Sequence, residues 1–183
     1  VAGALRELAM PQARFELALE PAPCLEGMPC GPSGLELPEF RFSASSTGPL
    51  LPLRQVASGG ELSRTLLAIK SAVREADTGM VLVFDEVDAG IGGRTADCVG
   101  RSLAELAGRH QVLCITHLPQ IAAYATAHFR VEKSDQETSP FARIVEVQGR
   151  ERVEEVARMA GGEEVGEATR RHARELLQSR STA

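Results

Sequence analysis

Two adjacent acids, Asp85 and Glu86, directly follow the apolar run at residues 81–84. A short continuous apolar run is typical of a buried parallel strand, and open α/β sheets bind ligands where such strands end. Asp85 could hold Mg²⁺ there, because this hard cation prefers oxygen ligands. Glu86 could then polarise a water for attack on a phosphate. The alternative, a strand that simply ends in two solvated acids, is about equally supported by this motif alone.

A second motif stands at the start of a predicted helix and comprises Ser58, Gly59, Gly60 and Glu61. Two glycines allow a backbone to approach a ligand closely, and the free N–H groups of a helix N-terminus favour an anion. The Ser58 hydroxyl adds a further polar contact. An ordinary serine-capped helix after a loop would look similar. The position of this helix, directly before the strand that ends in two acids, favours phosphate recognition.

A glycine-rich loop and a histidine complete the set of candidate residues. The loop at residues 87–93 follows Glu86 and contains Asp88, and His117 follows a second apolar run at residues 112–115. An imidazole at that edge could bond a terminal phosphate and orient the attacking water. The alternatives are a mobile strand-to-helix loop and a structural histidine. The other histidines have no comparable context, and we interpret them as structural: His110, His128 and His172.

The four motifs, in this order, resemble those of the ABC ATPase superfamily: the signature motif, the Walker B strand, the D-loop and the switch histidine. Within it the chain is similar to the SMC-like branch. The strings VASGGELSR, FDEVDAGIGG and THLPQIAA resemble the RecN family of that branch, as does the late ARMAGG. The resemblance implies ATP and Mg²⁺ as cofactors and a role in repair of DNA double-strand breaks. It implies Asp85 as the metal ligand, Glu86 and His117 as catalytic residues, and nucleotide contacts from Ser58, Gly59, Gly60, Glu61 and, at the dimer interface, Asp88.

A phosphate loop is absent from the sequence. No G-x-x-x-x-G-K-[ST] pattern occurs, and neither Lys70 nor Lys133 follows a glycine. In SMC-like proteins the Walker A half lies near the N-terminus and a long coiled coil separates it from the other half. The resemblance therefore implies that residues 1–10 are the end of that coiled coil and that residues 11–183 are the C-terminal half of a split head. The partners would be the Walker A half, a second head and DNA, and we expect the fragment alone to be inactive.

The pattern of apolar residues predicts an α/β fold with a mostly parallel core sheet, flanking helices and an antiparallel β layer, and the resemblance implies that this is the C-terminal lobe of an ABC-type head. The two core strands are parallel because a helix connects them. Pro38 predicts that its strand is an edge strand or bulged. We predict helices at 1–10, 58–76, 95–107, 152–160 and 163–178, and strands at 14–19, 35–42, 80–84, 112–115, 128–131 and 142–147.

Composition limits the remaining function classes. The net charge of -5 argues against a surface that coats nucleic acid, so any DNA contact is local or made by the longer protein. No apolar stretch is long enough for a membrane span and the N-terminus is not a secretory signal, which predicts a cytoplasmic protein without a membrane partner. The resemblance implies that it is nucleoid-associated. The four cysteines fit reduced thiols better than a zinc site built on Cys24, Cys30 and a distant histidine.

Two other classes of protein remain open. The first is another ABC member, such as a transporter or a different SMC-like head, although the glycine-rich D-loop and the string THLPQIAA argue against a transporter. The second is a module without catalytic activity that uses the same surface only to pair heads. Nucleotide turnover by the full-length chain would separate this second class from an ATPase.

Overall fold

The computed structural model describes residues 1–23, 30–31, 34–56, 58–73, 79–133, 142–162 and 164–180. The expectations for Cys24 and for the far end of the helix predicted at 58–76 lie outside these residues. The elements, in chain order, are α1 (Ala2–Glu7), β1 (Arg14–Pro21), β2 (Glu36–Ser43), β3 (Leu51–Pro52), a 3-10 turn (Leu53–Gln55), α2 (Gly59–Ala72), β4 (Val81–Phe84), α3 (Gly93–Ala107), β5 (Gln111–Cys114), α4 (Pro119–Ala122), β6 (Phe129–Lys133), β7 (Ala142–Glu146), α5 (Gly149–Gly161) and α6 (Glu167–Arg180).

A parallel strand pair forms the centre of the fold, as predicted. β4 and β5 pair in parallel, with Phe84 opposite Cys114, and α3 connects the two strands. Apolar residues of α2, β4 and α3 recur at the spacing of their elements and share one buried cluster. The cluster includes Leu67, Phe84 and Val99, none more than 1% exposed. This packing fixes the end of β4 beside the start of α2, which is where the candidate site lies.

The prediction that β4 and β5 are buried on both faces is wrong within the described residues. Leu82 and Phe84 face the core, whereas Val81 and Val83 are 59% and 60% exposed. On β5, Leu113 is likewise exposed. Successive side chains of a strand point to opposite faces, so a single face of this pair is covered by the part of the chain described here. The continuous apolar run in the sequence is nevertheless typical of a strand covered on both sides.

The antiparallel layer is a three-stranded sheet in the order β1-β2-β3. β2 is thus the middle strand, and the prediction of an edge strand from Pro38 is wrong for the strand as a whole. β3 is only two residues long and pairs with Arg41 and Phe42, while Pro38 pairs with Leu19 of β1 alone. Proline is tolerated because no ladder partner is needed on its other side.

The ends of the chain pack against this centre. α1 is shorter than the predicted helix and ends at Glu7, with Leu5 and Leu8 buried in the main core. Its origin in a coiled coil stays a prediction. β6 and β7 form the predicted antiparallel pair, and α5 and α6 enclose a second apolar cluster around Val156. Within the described residues, we find no helix with the length and apolar character that a bilayer crossing needs.

Candidate functional site

The candidate site lies where β4 and β5 end. Because the strands are parallel and in register, the residues that follow them meet at one edge of the sheet: a hydrogen bond from Ile115 N to Phe84 O, 2.9 Å long, extends the pairing by one residue. Asp85 and Glu86 therefore leave the sheet beside Thr116 and His117. The structure therefore brings the two acids that follow β4 and the histidine that follows β5 to the same edge of the sheet.

Asp85 is held by two contacts and keeps an exposed side chain. Its Oδ1 accepts the N–H of Glu86 at 2.9 Å, and its carbonyl accepts the Ser63 hydroxyl at 2.6 Å. No group of three or more potential metal ligands occurs among the described residues. Mg²⁺ is usually held by one or two carboxylates together with phosphates and water, so a single oriented aspartate fits this cation better than a structural metal.

Glu86 has an uncommon backbone conformation. Its φ is +56°, in the left-handed region that non-glycine residues rarely adopt, and such residues are often found at functional sites. Its exposed carboxylate lies against the start of α2, since a Cβ built on Gly59 would be 2.2 Å from Glu86 Oε2. The candidate base and the candidate phosphate-binding motif of one chain are therefore direct neighbours.

Ser58 caps α2, as its position in the sequence predicts. Its Oγ accepts the N–H of Glu61 at 3.4 Å, and the S-x-x-E spacing is that of a capping box. Ser58 and Gly59 are exposed, whereas Gly60 is buried against the loop after β4. A Cβ on Gly60 would lie 2.8 Å from Ala89 Cβ and 3.0 Å from Glu86 O. The exposed part of the motif can thus meet a ligand while Gly60 serves packing.

Arg64 lies beside the candidate site, although the sequence motifs did not identify it. It is 7% exposed, and its Nη1 donates to the carbonyls of Val87 at 3.3 Å and Ala89 at 2.9 Å. Burial lowers the pKa of this guanidinium. Arg64 therefore ties the phosphate-binding helix to the loop after β4. Its position in the sequence could have identified it, because a residue one helical turn after Gly60 lies on the same face of α2.

Asp88 was expected at a dimer interface, and the structure places its carboxylate inside the chain. The residue is 4% exposed. Its Oδ2 accepts the Thr116 hydroxyl at 2.6 Å and the His117 N–H at 2.9 Å, and lies 3.0 Å from His117 Nδ1. The His117 side chain is 74% exposed. Thr116 was not a predicted site residue, although it directly precedes the candidate histidine. Contacts of this loop with a second head stay a prediction.

The carboxylates also act on Cys114, the last residue of β5. Burial, followed by the charges of Asp88 and Asp85, raises the pKa of its thiol to about 12. The thiol is thus protonated at neutral pH, and a protonated thiol is neither a nucleophile nor a metal ligand. This agrees with the interpretation of the cysteines as ordinary reduced thiols.

The remaining histidines lie outside the candidate site. His110 is 9% exposed and its Nδ1 accepts the Met80 N–H at 3.4 Å. Burial, and then the charge of Arg152, lower the pKa of His128. His172 is exposed on α6. None of them reaches the edge where β4 and β5 end.

The packing of Gly60 gives a first testable prediction. Gly60→Ala should lower the free energy of unfolding by about 1–3 kcal/mol, because the new methyl overlaps Ala89 and the backbone of Glu86. Gly59→Ala is the matched control: its new methyl meets only the mobile end of the Glu86 side chain, so we expect a change within about 0.5 kcal/mol. Urea unfolding of the two variants measures the difference. Equal losses would show that Gly60 is not packed as described.

Comparison with solved structures gives the class of fold. The Smc head domain with a coiled coil and joint from Pyrococcus yayanosii matches 85% of this chain and 27% of its own chain, with a TM-score of 0.56 and 22% identity. A Smc head domain from Pyrococcus furiosus, bound to the C-terminal domain of ScpA, matches 79% of this chain and 33% of its own, with a TM-score of 0.51 and 21% identity. The chain has the α/β fold of part of an SMC-type head, as predicted.

Comparison with curated proteins gives the family. The DNA repair protein RecN of Deinococcus radiodurans is 49% identical over 94% of this chain, and that of Treponema pallidum is 41% identical over 98%. The chain spans 29% and 31% of the length of these two relatives. No family model matches the chain. The chain therefore belongs with the RecN proteins over the segment that it covers, and the family predicted from its motifs is confirmed.

Proposed function

We propose that this chain is one half of an SMC-like ABC ATPase head, and that the full-length protein uses ATP-driven pairing of heads in DNA repair. The observation that carries the proposal is the convergence of Asp85, Glu86 and His117 at one sheet edge, beside the N-terminus of α2. Carboxylates and an imidazole at the end of parallel strands are suited to phosphoryl chemistry. The relatives are named as DNA repair proteins, which supports the same role for this family member.

In the proposed site each side chain has one task. Asp85 holds Mg²⁺, which neutralises phosphate charge when it is bound. Glu86 accepts a proton from the attacking water, and His117 bonds the terminal phosphate. Ser58 and Gly59 are exposed at the positive end of α2, where they contact the nucleotide bound by a second head. Each complete site would combine residues of two heads, so that hydrolysis depends on their pairing.

The missing phosphate loop would come from the N-terminal half of the same longer chain. The uncovered face of β4 and β5 is the surface on which we place that half. Val81, Val83, Leu113 and Ile115 are between 47% and 61% exposed there, although their sequence pattern is that of strands buried on both faces. A contiguous apolar surface of this kind marks an interaction site. DNA contacts and a cytoplasmic, nucleoid-associated location are part of the same proposal, through the longer protein.

The experiment that tests the proposed function compares this chain with its full-length parent. The 183-residue chain should show no significant ATP turnover, because it has no phosphate loop, whereas the full-length protein should hydrolyse ATP in the presence of Mg²⁺. Co-expression of the chain with the Walker A half should restore turnover. Steady-state phosphate release measures all three. Turnover by the chain alone that disappears in Glu86→Gln would contradict the split site, and a full-length protein that pairs heads without turnover would favour the non-catalytic module.

A further inference from the structure

The carboxylate of Asp88 faces the candidate histidine of its own chain. It is 4% exposed, and its single atom Oδ2 contacts the Thr116 hydroxyl, the His117 N–H and the His117 ring. Among the described residues, His117 provides the one cation-forming side chain within 4.0 Å of this carboxylate. Arg64 reaches only the carbonyls on either side, at Val87 and Ala89. Asp88 therefore has the geometry of a partner for His117 rather than for an arginine or lysine.

The contact favours one of the two nitrogens of the His117 ring as the site of the proton. A carboxylate has no proton to donate, and two lone pairs that approach each other across 3.0 Å repel, so the neutral ring is expected to carry its proton on Nδ1. In the neutral imidazole the Nε2 atom then keeps its lone pair. The ring is 74% exposed, so Nε2 is accessible from outside the chain. The tautomer and orientation of a histidine are commonly set in this way by the partner of its other nitrogen.

We propose that Asp88 is a positioning residue that acts through His117: it holds the ring with Nδ1 protonated and presents Nε2 to the terminal phosphate or the attacking water. The inference rests on the proposed function for its catalytic consequence, but the tautomer itself does not depend on that function. The aspartate of the loop after β4 thus acts within its own head. Its value for catalysis would be orientation, since its carboxylate is buried against Thr116 and His117.

The alternative role for Asp88 is purely structural: its carboxylate would only hold two loops together. Two control variants distinguish this role from the positioning of His117. Thr116→Val removes the hydroxyl bond of the same network but leaves the carboxylate beside the ring. Asp97→Asn neutralises a carboxylate elsewhere in the chain. The Asp97 side chain is half-buried, accepts the Tyr124 hydroxyl at 3.0 Å and pairs with Arg180. Asp88→Asn is nearly isosteric, and its amide oxygen can still accept from the backbone, from Thr116 and from the ring, so the fold and the tautomer are expected to persist. Asp88→Ala removes the acceptor and is the variant that tests positioning.

The first measurement is the tautomer of His117 in the 183-residue chain, by long-range proton–nitrogen correlation spectra with labelled histidine at a pH where the ring is neutral. We expect the Nδ1–H form in the wild type, in Thr116→Val, in Asp97→Asn and in Asp88→Asn, and a shift towards the Nε2–H form in Asp88→Ala. An Nε2–H ring in the wild type, or the same tautomer in Asp88→Ala as in the wild type, would overturn the proposal whether or not the longer protein hydrolyses ATP.

The second measurement is ATP turnover by the full-length protein. Asp88→Ala should lower kcat by about tenfold to a hundredfold with little change in KM, as for other residues that orient a catalytic or metal-bound histidine. Asp97→Asn should keep the wild-type kcat. In a His117→Ala background, Asp88→Ala should have no further effect, because a residue that acts through another loses its role with it. Additive losses would overturn the proposal, whereas turnover that is unaffected by both Glu86→Gln and His117→Ala would instead contradict the proposed function.

Discussion

Glu86→Gln is expected to slow ATP hydrolysis by the full-length protein by about a hundredfold to ten-thousandfold, the usual cost of losing a general base. The amide is nearly isosteric with the carboxylate but cannot accept the proton of the attacking water. The carboxylate that holds Mg²⁺ in the proposed site belongs to Asp85, so ATP and Mg²⁺ should still bind. Paired heads should consequently accumulate with uncleaved ATP, which phosphate release, nucleotide retention and chemical crosslinking can measure together.

The specificity of this effect can be checked with two further variants. Glu36→Gln removes an exposed carboxylate at the start of β2, in the antiparallel layer, and should leave hydrolysis unchanged. Asp85→Asn should instead weaken the Mg²⁺ dependence of nucleotide binding. A wild-type rate of hydrolysis in Glu86→Gln would refute the assignment of Glu86 as the base.

The second large effect is recovery of activity from two inactive proteins. Ser58→Arg should abolish turnover, because the bulky side chain stands where the nucleotide of the second head must approach. In a mixed dimer with Glu86→Gln, one site carries both lesions and the other carries neither. Mixing should therefore restore hydrolysis, to at most about half the wild-type rate per mixed dimer if the sites act independently.

Two measurements keep the mixing experiment decisive. Ser58 also caps α2, and loss of a cap costs about 1 kcal/mol of stability, so Ser58→Ala serves as the control that removes the cap without adding bulk. Mixed dimers must be isolated and their bound ATP counted. Mixed dimers that hold ATP at the intact site but never cleave it would exclude independent shared sites. Normal hydrolysis by each variant alone would contradict both motif assignments.

Much of the site could be predicted from the sequence because its residues follow local signals. The apolar run before Asp85 and the S-x-x-E spacing at Ser58 each fix an element and its end. A helix between two apolar runs makes the strands parallel, which brings His117 to the edge where Asp85 and Glu86 stand. The order of these motifs along the chain was therefore sufficient to predict that the two acids and the histidine lie at the same edge of the sheet.

The features that were missed depend on contacts between distant parts of the chain. Nothing in the spacing shows that the Asp88 carboxylate turns inward to His117, 29 residues later. Arg64 likewise has the sequence pattern of an exposed helical cation, yet it is buried by carbonyls of a loop more than 20 residues away. The exposure of Val81 and Val83 could not be foreseen either, because an apolar run does not say which molecule or segment covers it.

The contacts of Gly60 and Arg64 have a consequence for how two active sites could be timed. Gly60 packs directly on Ala89, and Arg64 holds the carbonyls on both sides of Asp88. In the proposed function, the surface that would contact a second head and the residues that would cleave the head's own ATP are thus joined by direct contacts. A shift of α2 as it closes on the nucleotide of the neighbouring head would carry the loop after β4 with it. Each head could in this way register, at its own catalytic edge, whether the opposite site is filled.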